Sequence, residues 1–199
     1  ALAQLAETRG RLLSVFHNRR WDADFLTLQG LIEANRLGRI VRFESRFNRY
    51  RPQVRDRWRE ADTPGAGVWY DLGPHLIDQA LALFGEPSGV TADLAILRPG
   101  GKACDYAHAV LRYPDKRVIL HADMLSADPD PRFVVQGSRA AYVTRGLDPQ
   151  EDQLKATGGA GGEGWGVDPR PGEIIDGASG EREPAMGVPG DYRLSLIHI

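Results

Sequence analysis

The spacing of hydrophobic positions changes several times along the chain, and each change marks an element. Residues 1–8 place their apolar side chains at helical spacing, and Gly10 suits a left-handed stop. The apolar run Leu12-Leu13-Ser14-Val15-Phe16 reads as a short buried strand of the parallel kind. His17-Asn18-Arg19-Arg20-Trp21 follows at its C-terminal end, where ligands gather in open α/β sheets. Asp22 is placed to cap a helix whose Phe25, Leu28, Leu31 and Ile32 form one stripe, ending near residues 35–38. Helix, buried strand and helix together read as the last part of an α/β domain over residues 1–35.

Residues 40–50 then alternate, with Val41, Phe43, Ser45 and Phe47 facing one way and Arg42, Glu44, Arg46 and Asn48 the other. That is a half-solvated strand of an antiparallel or mixed sheet. A charged segment with Pro52 and Trp58 leads into a Gly/Pro-rich stretch and an apolar helix that ends at Phe84-Gly85-Glu86-Pro87. Five further strands are predicted over residues 89–97, 106–113, 117–125, 132–137 and 140–145, with hairpin connections at 113–117 and 137–139. Strands in meander order with helices before them predict an α+β fold, an open and mostly antiparallel sheet covered by helices on one face. This domain is expected over residues 36–155. Residues 156–193 turn Gly-rich (T-G-G-A-G-G-E-G-W-G) and are expected to form an irregular surface excursion with little core of its own.

Composition narrows the class. The chain has 199 residues, 42% hydrophobic and 26% charged, with a formal net charge of −2. These are the proportions of one or two ordinary globular domains. No run of about 18 apolar residues predicts a membrane-spanning helix, and the first residues lack the basic-then-apolar pattern of a signal peptide. One cysteine, Cys104, excludes an internal disulfide framework and fits a reducing cytoplasm, the expected location. Charge is uneven: residues 1–60 carry 13 Arg, no Lys and 7 acids, a net of +6, which leaves −8 for residues 61–199. The arginines between residues 42 and 59 are interleaved with aromatics, but they alternate along a strand among acids, so no nucleic-acid partner is expected. The chain opens on Ala within a helical pattern and closes on L-S-L-I-H-I, a hexapeptide encoded by a common transposon-end sequencing adaptor. Residues 194–199 are therefore expected to be non-native, and the gene truncated at both ends.

Candidate chemistry concentrates in T-P-G-A-G-V-W-Y-D-L-G-P-H-L-I-D-Q-A-L-A-L-F, residues 63–84. Asp71 and His75 lie four residues apart and share a helix face. They suit a general acid/base imidazole oriented by a carboxylate. They suit equally a helix start where Asp71 serves free backbone N–H groups and His75 is an ordinary polar residue. Asn18, Arg19 and Arg20 could hold an anion or a polyol through forked donors, or form a solvated turn. His17, His75, His108 and His121 have no metal-ligand spacing such as H-x3-H, so no metal is expected. His108 and His121 fall in adjacent predicted strands and read as sheet residues. Cys104 beside Asp105 reads as an unreactive thiol. No G-x-S-x-G, P-loop or G-x-G-x-x-G is present.

Taken in order, F-H-N-R-R-W-D, a helix ending L-G-R-I, the strand F-E-S-R-F and Y-D-L-G-P-H-L-I-D-Q-A-L-A-L-F-G resemble the Gfo/Idh/MocA family, over roughly residues 1–153. Glucose–fructose oxidoreductase and inositol dehydrogenase belong to that family. The resemblance implies an N-terminal Rossmann domain that holds NAD or NADP, followed by an α+β domain whose open sheet packs copies into a homo-oligomer. It implies hydride transfer at a carbon bearing a sugar or cyclitol hydroxyl. His75 matches the histidine that exchanges the hydroxyl proton, and Asp71 the carboxylate that orients substrate and histidine. Asn18 and Arg20 match the region facing the nicotinamide, and Tyr70 and Arg19 join Asp71 as substrate contacts. The family's glycine fingerprint and its lysine are not found here, so the chain alone is expected neither to bind NAD(P) nor to turn over. Two rivals are a scaffold or binding protein that kept the fold without activity, and a metal-dependent isomerase or hydrolase using His75 and Asp71.

Overall fold

The alternating stretch becomes the central strand of the molecule. In the computed structural model, which describes residues 1–128 and 131–197, β1 (Ile40–Asn48) lies parallel to β4 (Arg117–Asp123) and antiparallel to β5 (Phe133–Gly137). β2 (Gly89–Ala95) and β3 (Tyr106–Arg112) continue the sheet beyond β4, and β6 (Ala140–Thr144), β7 (Gly172–Asp176) and β8 (Arg182–Ala185) continue it beyond β5. The order is β2-β3-β4-β1-β5-β6-β7-β8, and every pairing except β1 with β4 is antiparallel. This is the predicted α+β class with an open, mostly antiparallel sheet.

The helices α2 (Ala23–Glu33) and α3 (Val68–Phe84) contribute to one core with the sheet. Leu72, Leu76 and Ala80 recur every fourth residue along α3 and join Ala107, Ala109, Val118, Leu120 and Ala122 in the same buried cluster. Phe43 packs edge-on against Phe84 of α3 at 5.4 Å between ring centres, and Phe133 tilts against Phe25 of α2 at 6.4 Å. Burying side chains of this size contributes about 1.5–3 kcal/mol each, so these aromatics fix how the helices sit on the sheet. Along β3 and β4 the other face, with Tyr106, His108, Val110, Ile119, His121 and Asp123, is only half-buried.

Several expectations need correction. Residues 12–16 form no strand: Leu12, Leu13, Val15 and Phe16 are 48–74% exposed, and no strand among the described residues pairs with them. A run of apolar residues becomes a strand only where a neighbour can take its hydrogen bonds. α1 (Leu2–Thr8) does form, and its Leu2 and Leu5 are likewise exposed. Asp22 sits at the N-terminus of α2 without capping it; Asp148 Oδ2 accepts the Ala23 N–H at 2.7 Å instead. The Gly-rich stretch is not merely an excursion. It supplies β7 and β8, and it buries Ile174, Ala185 and Tyr192. The predicted strands lose one or two residues at their ends; at two of those ends Asp105 takes the Leu97 N–H and Asp123 those of Leu125 and Ser126. α4 (Gln150–Thr157) and the single turn α5 (Leu194–Ile197) complete the described residues. His198 and Ile199, the end of the expected non-native tail, lie outside them.

Candidate active site

The residues of interest meet where α3 begins. Gly67 precedes the helix at φ +97°, and a Cβ there would stand 2.9 Å from the Cys104 carbonyl oxygen, which accepts the Val68 N–H. The helix starts six residues before Pro74, which lies inside it, so Asp71 belongs to the first turn rather than to the approach. Pro74 has no N–H to return to the Tyr70 carbonyl, which opens the helix backbone there. Asp71, His75 and Asp78 then follow at the i, i+4, i+7 spacing of one face.

Each carboxylate on that face has a cationic partner. Asp71 receives Arg59 Nε at 3.2 Å on Oδ1, with Arg49 4.0 Å from Oδ2. Arg59 in turn lies over the Trp58 ring at 4.7 Å. Asp78 accepts both forks of Arg20, each at 2.7 Å, and has His17 Nδ1 3.7 Å away. His75 differs: its Nδ1 is buried and has no hydrogen-bond partner among the described residues. Burial, and then the charges of Arg19 and His17, push this imidazole down to about 4, against the opposing pull of Asp71 and Asp78. At neutral pH it is therefore an uncharged base with one unpartnered nitrogen, weaker than the near-neutral base the sequence suggested.

Of the expected site residues, Asn18 and Arg20 lie on the 3₁₀ turn Asn18–Trp21, which packs against α3 and meets it through Asp78. Tyr70 is 67% exposed on the first turn of α3. Arg19 goes elsewhere. Its guanidinium is buried against Asp22 (3.5 Å), the Tyr192 hydroxyl (3.2 Å) and Glu151 (2.9 Å), and it lies over the Phe47 ring. Burial opposes the charge, but Asp22, Tyr192 and Glu151 outweigh it and hold Arg19 firmly protonated. Its contribution to the site is thus structural and electrostatic.

Beneath the face lies a polar layer that the sequence did not announce. Gln79 is fully buried; its amide donates to the Arg19 carbonyl at 2.7 Å and accepts from Arg132 at 2.8 Å. Arg132 reaches Ser45 Oγ at 2.5 Å and Asp24 at 3.8 Å, between the rings of Phe47 and Phe133. Burial raises both Asp22 and Asp24, reinforced by neighbouring carboxylates and opposed by Arg19 and Arg132. Nothing in local spacing marks Arg132 or Tyr192, because their partners lie far away in sequence. Cys104 is raised mainly by burial, and the Asp105 charge is a minor cause.

The model of the GFO/IDH/MocA C-terminal domain matches residues 25–143. The uncharacterized oxidoreductase YdgJ of Escherichia coli is 55% identical over 193 residues, covering 96% of this chain and 56% of that protein. The scyllo-inositol 2-dehydrogenase (NADP(+)) IolW of Bacillus subtilis is 41% identical over 167 residues, covering 84% of this chain and 47% of that protein. A solved structure of a Yersinia pestis protein superposes with a TM-score of 0.88 at 49% identity, covering 97% of this chain and 55% of that one. The chain thus spans about half the length of the relatives it matches.

Proposed function

The chain belongs to the GFO/IDH/MocA family, and from that premise we propose that it is the substrate-side part of an NAD(P)-dependent oxidoreductase acting on a sugar, sugar-derivative or cyclitol hydroxyl. The observation that carries this reading is the α3 face, where the unpartnered, uncharged His75 imidazole stands between Asp71 and Asp78. The side chain as a whole is only partly buried, so a substrate hydroxyl would meet the imidazole from its exposed side.

The turn carrying Asn18 and Arg20 is tied to α3 through the Arg20–Asp78 pair, three residues beyond His75, and Asn18 and Arg20 would be the residues of this chain to face a nicotinamide. Hydride acceptance or donation is the chemistry a nicotinamide supplies when bound. The remaining work falls to this chain. His75 takes the hydroxyl proton as the carbinol is oxidised and returns it in the reverse direction. Asp71, kept in place by Arg59 and Arg49, positions the hydroxyl, with Tyr70 offering a further contact. Arg20 fixes the turn through Asp78. The exposed apolar side chains of residues 2–16 suit packing against the rest of a longer protein, and the half-buried sheet face suits pairing of copies.

The test is a dehydrogenase screen of the full-length open reading frame over aldoses and cyclitols with NAD and with NADP. Substrate-dependent reduction of either cofactor is expected. A folded, cofactor-binding protein inert toward every polyol would favour the scaffold reading.

A further inference from the structure

The helix-facing side of β1 changes character where the strand ends. Phe43, Ser45 and Phe47 are fully buried there, and the chain stays extended past Asn48. The N–H groups of Arg49 and Arg51 donate to the Asp123 and Met124 carbonyls, and Tyr50 bridges to Leu125. Alternation therefore continues the series through Arg49 and Arg51, on the side of the sheet that carries α3. Where the hydrophobic core stops, two guanidinium groups take over.

The charges at that point do not balance. Arg49 lies 4.0 Å from Asp71 Oδ2, beyond hydrogen-bond reach, while Arg59 Nε takes Oδ1 at 3.2 Å. The Arg51 guanidinium has no side-chain partner among the described residues. Glu151 of α4 also favours the Arg49 charge, but it is already bonded to Arg19 at 2.9 Å and to Lys155 at 3.0 Å. Arg49, Arg51 and Arg59 are thus three cations around one carboxylate, Asp71, a single helical turn from His75. The Arg49 side chain is only 18% exposed. Burial, and next the like charge of Arg51, disfavour its cation more than Asp71 and Glu151 favour it. A largely buried cation with unspent donors is costly until an anion meets it.

We propose that the substrate carries an oxyanion, a carboxylate or a phosphate, which Arg49 and Arg51 hold together with Arg59 while the hydroxyl of the same molecule meets His75. This rests on the dehydrogenase reading above and narrows its substrate to an acidic polyol, a sugar acid or a sugar phosphate. The chemistry of the donors suits that class. Guanidinium forks match the paired oxygens of both groups, and residues 1–60 hold 13 Arg and no Lys. The spacing suits it as well: Asp71 and His75, at i and i+4, have Cβ atoms about 5–6 Å apart, the span of one sugar ring.

The experiment compares kcat/KM of the full-length enzyme for matched pairs, glucose against gluconate, glucuronate and glucose 6-phosphate, and myo-inositol against its monophosphate. At least one acidic member should exceed its neutral counterpart by about tenfold or more, the gain expected of one charge-assisted hydrogen bond. The carboxylate and phosphate arms tell which oxyanion is read. Arg49→Gln and Arg51→Gln should each lower the acidic-to-neutral ratio by about 10–100-fold, mainly through KM, and Arg49→Lys should recover part of it. A purely structural role would depress both members of a pair alike and leave the ratio where it was. In the 199-residue chain, glucuronate and inorganic phosphate are titrated while the guanidinium resonances of Arg49 and Arg51 are followed by NMR. One of these anions should shift both, and glucose at the same concentration neither. Neutral polyols oxidised as well as acidic ones, or a ratio that survives loss of both arginines, would overturn this inference and leave the dehydrogenase reading standing. Inactivity toward every polyol would overturn the dehydrogenase reading, and the arginine resonances would then decide the oxyanion site by themselves.

Discussion

His75 is the residue on which the functional reading turns, and two measurements bear on it. In the complete enzyme His75→Ala should lower kcat by about 10²–10⁴-fold, the range for a general acid/base group; an unchanged kcat would reduce it to a structural role. In this chain its imidazole should titrate near 4, readable by NMR. The sign of the linked stability change follows. Between about pH 6.5 and 4 the unfolded chain binds a proton that the folded chain refuses, so the parent should lose stability relative to His75→Gln as pH falls through that window. Equal pH profiles for the two would contradict the burial of the imidazole. Arg132 offers a test of the layer beneath. Arg132→Ala leaves Asp24 and Gln79 without their cationic partner and should cost about 3–5 kcal/mol in urea denaturation. Asp71 and His75 were legible in the sequence because i, i+4 spacing is local. Arg59, Arg132 and Tyr192 were not, because what gives each its role is a partner in another element.

At the scale of elements, the legible parts were those with internal periodicity. β1 and α3 declare themselves by alternation and by a four-residue apolar repeat, and each appears close to where the spacing puts it. Residues 12–16 failed for the opposite reason, since strand formation needs a neighbour that composition cannot reveal. β7 and β8 were hidden by the glycines around them, yet their edges are built by the same ladder rules. The return from β8 to the start of α2 is held tightly: Gln150 receives the Tyr192 N–H and donates to the Trp21 carbonyl, while Asp148 caps α2. A Cβ on Gly190 would come 2.6 Å from the Trp21 carbonyl oxygen. Asp148→Ala should therefore cost about 0.5–2 kcal/mol as a lost cap, measurable as a lowered denaturation midpoint, and Gly190→Ala should displace the segment from α2. A Gly190→Ala chain with unchanged amide shifts at Trp21 and Tyr192 would show the contact to be slack.

For the whole molecule, the sheet has one face filled by helices and one left half-buried. If copies pair through the second face, Ile119→Glu, near its middle, should convert a dimer to a monomer in sedimentation velocity; a parent chain that sediments as a monomer at every concentration would end that expectation. The placement of β1 has a further consequence, for how the chain reaches this structure. β1 is the centre of the sheet, yet both its ladder partners begin at or beyond residue 117. Such non-local pairing is the mark of slow folding, on the order of milliseconds to seconds. During synthesis, at about 5–20 residues per second, Phe43 and Phe47 must wait several seconds for β4 and then β5 to arrive. β3 and β4, adjacent in sequence, can pair first. Pulse-labelled hydrogen exchange should find their amides protected before those of β1. The strand made earliest among the eight is the one whose neighbours are completed late, and its two open edges are where a growing chain would be most exposed to misassembly.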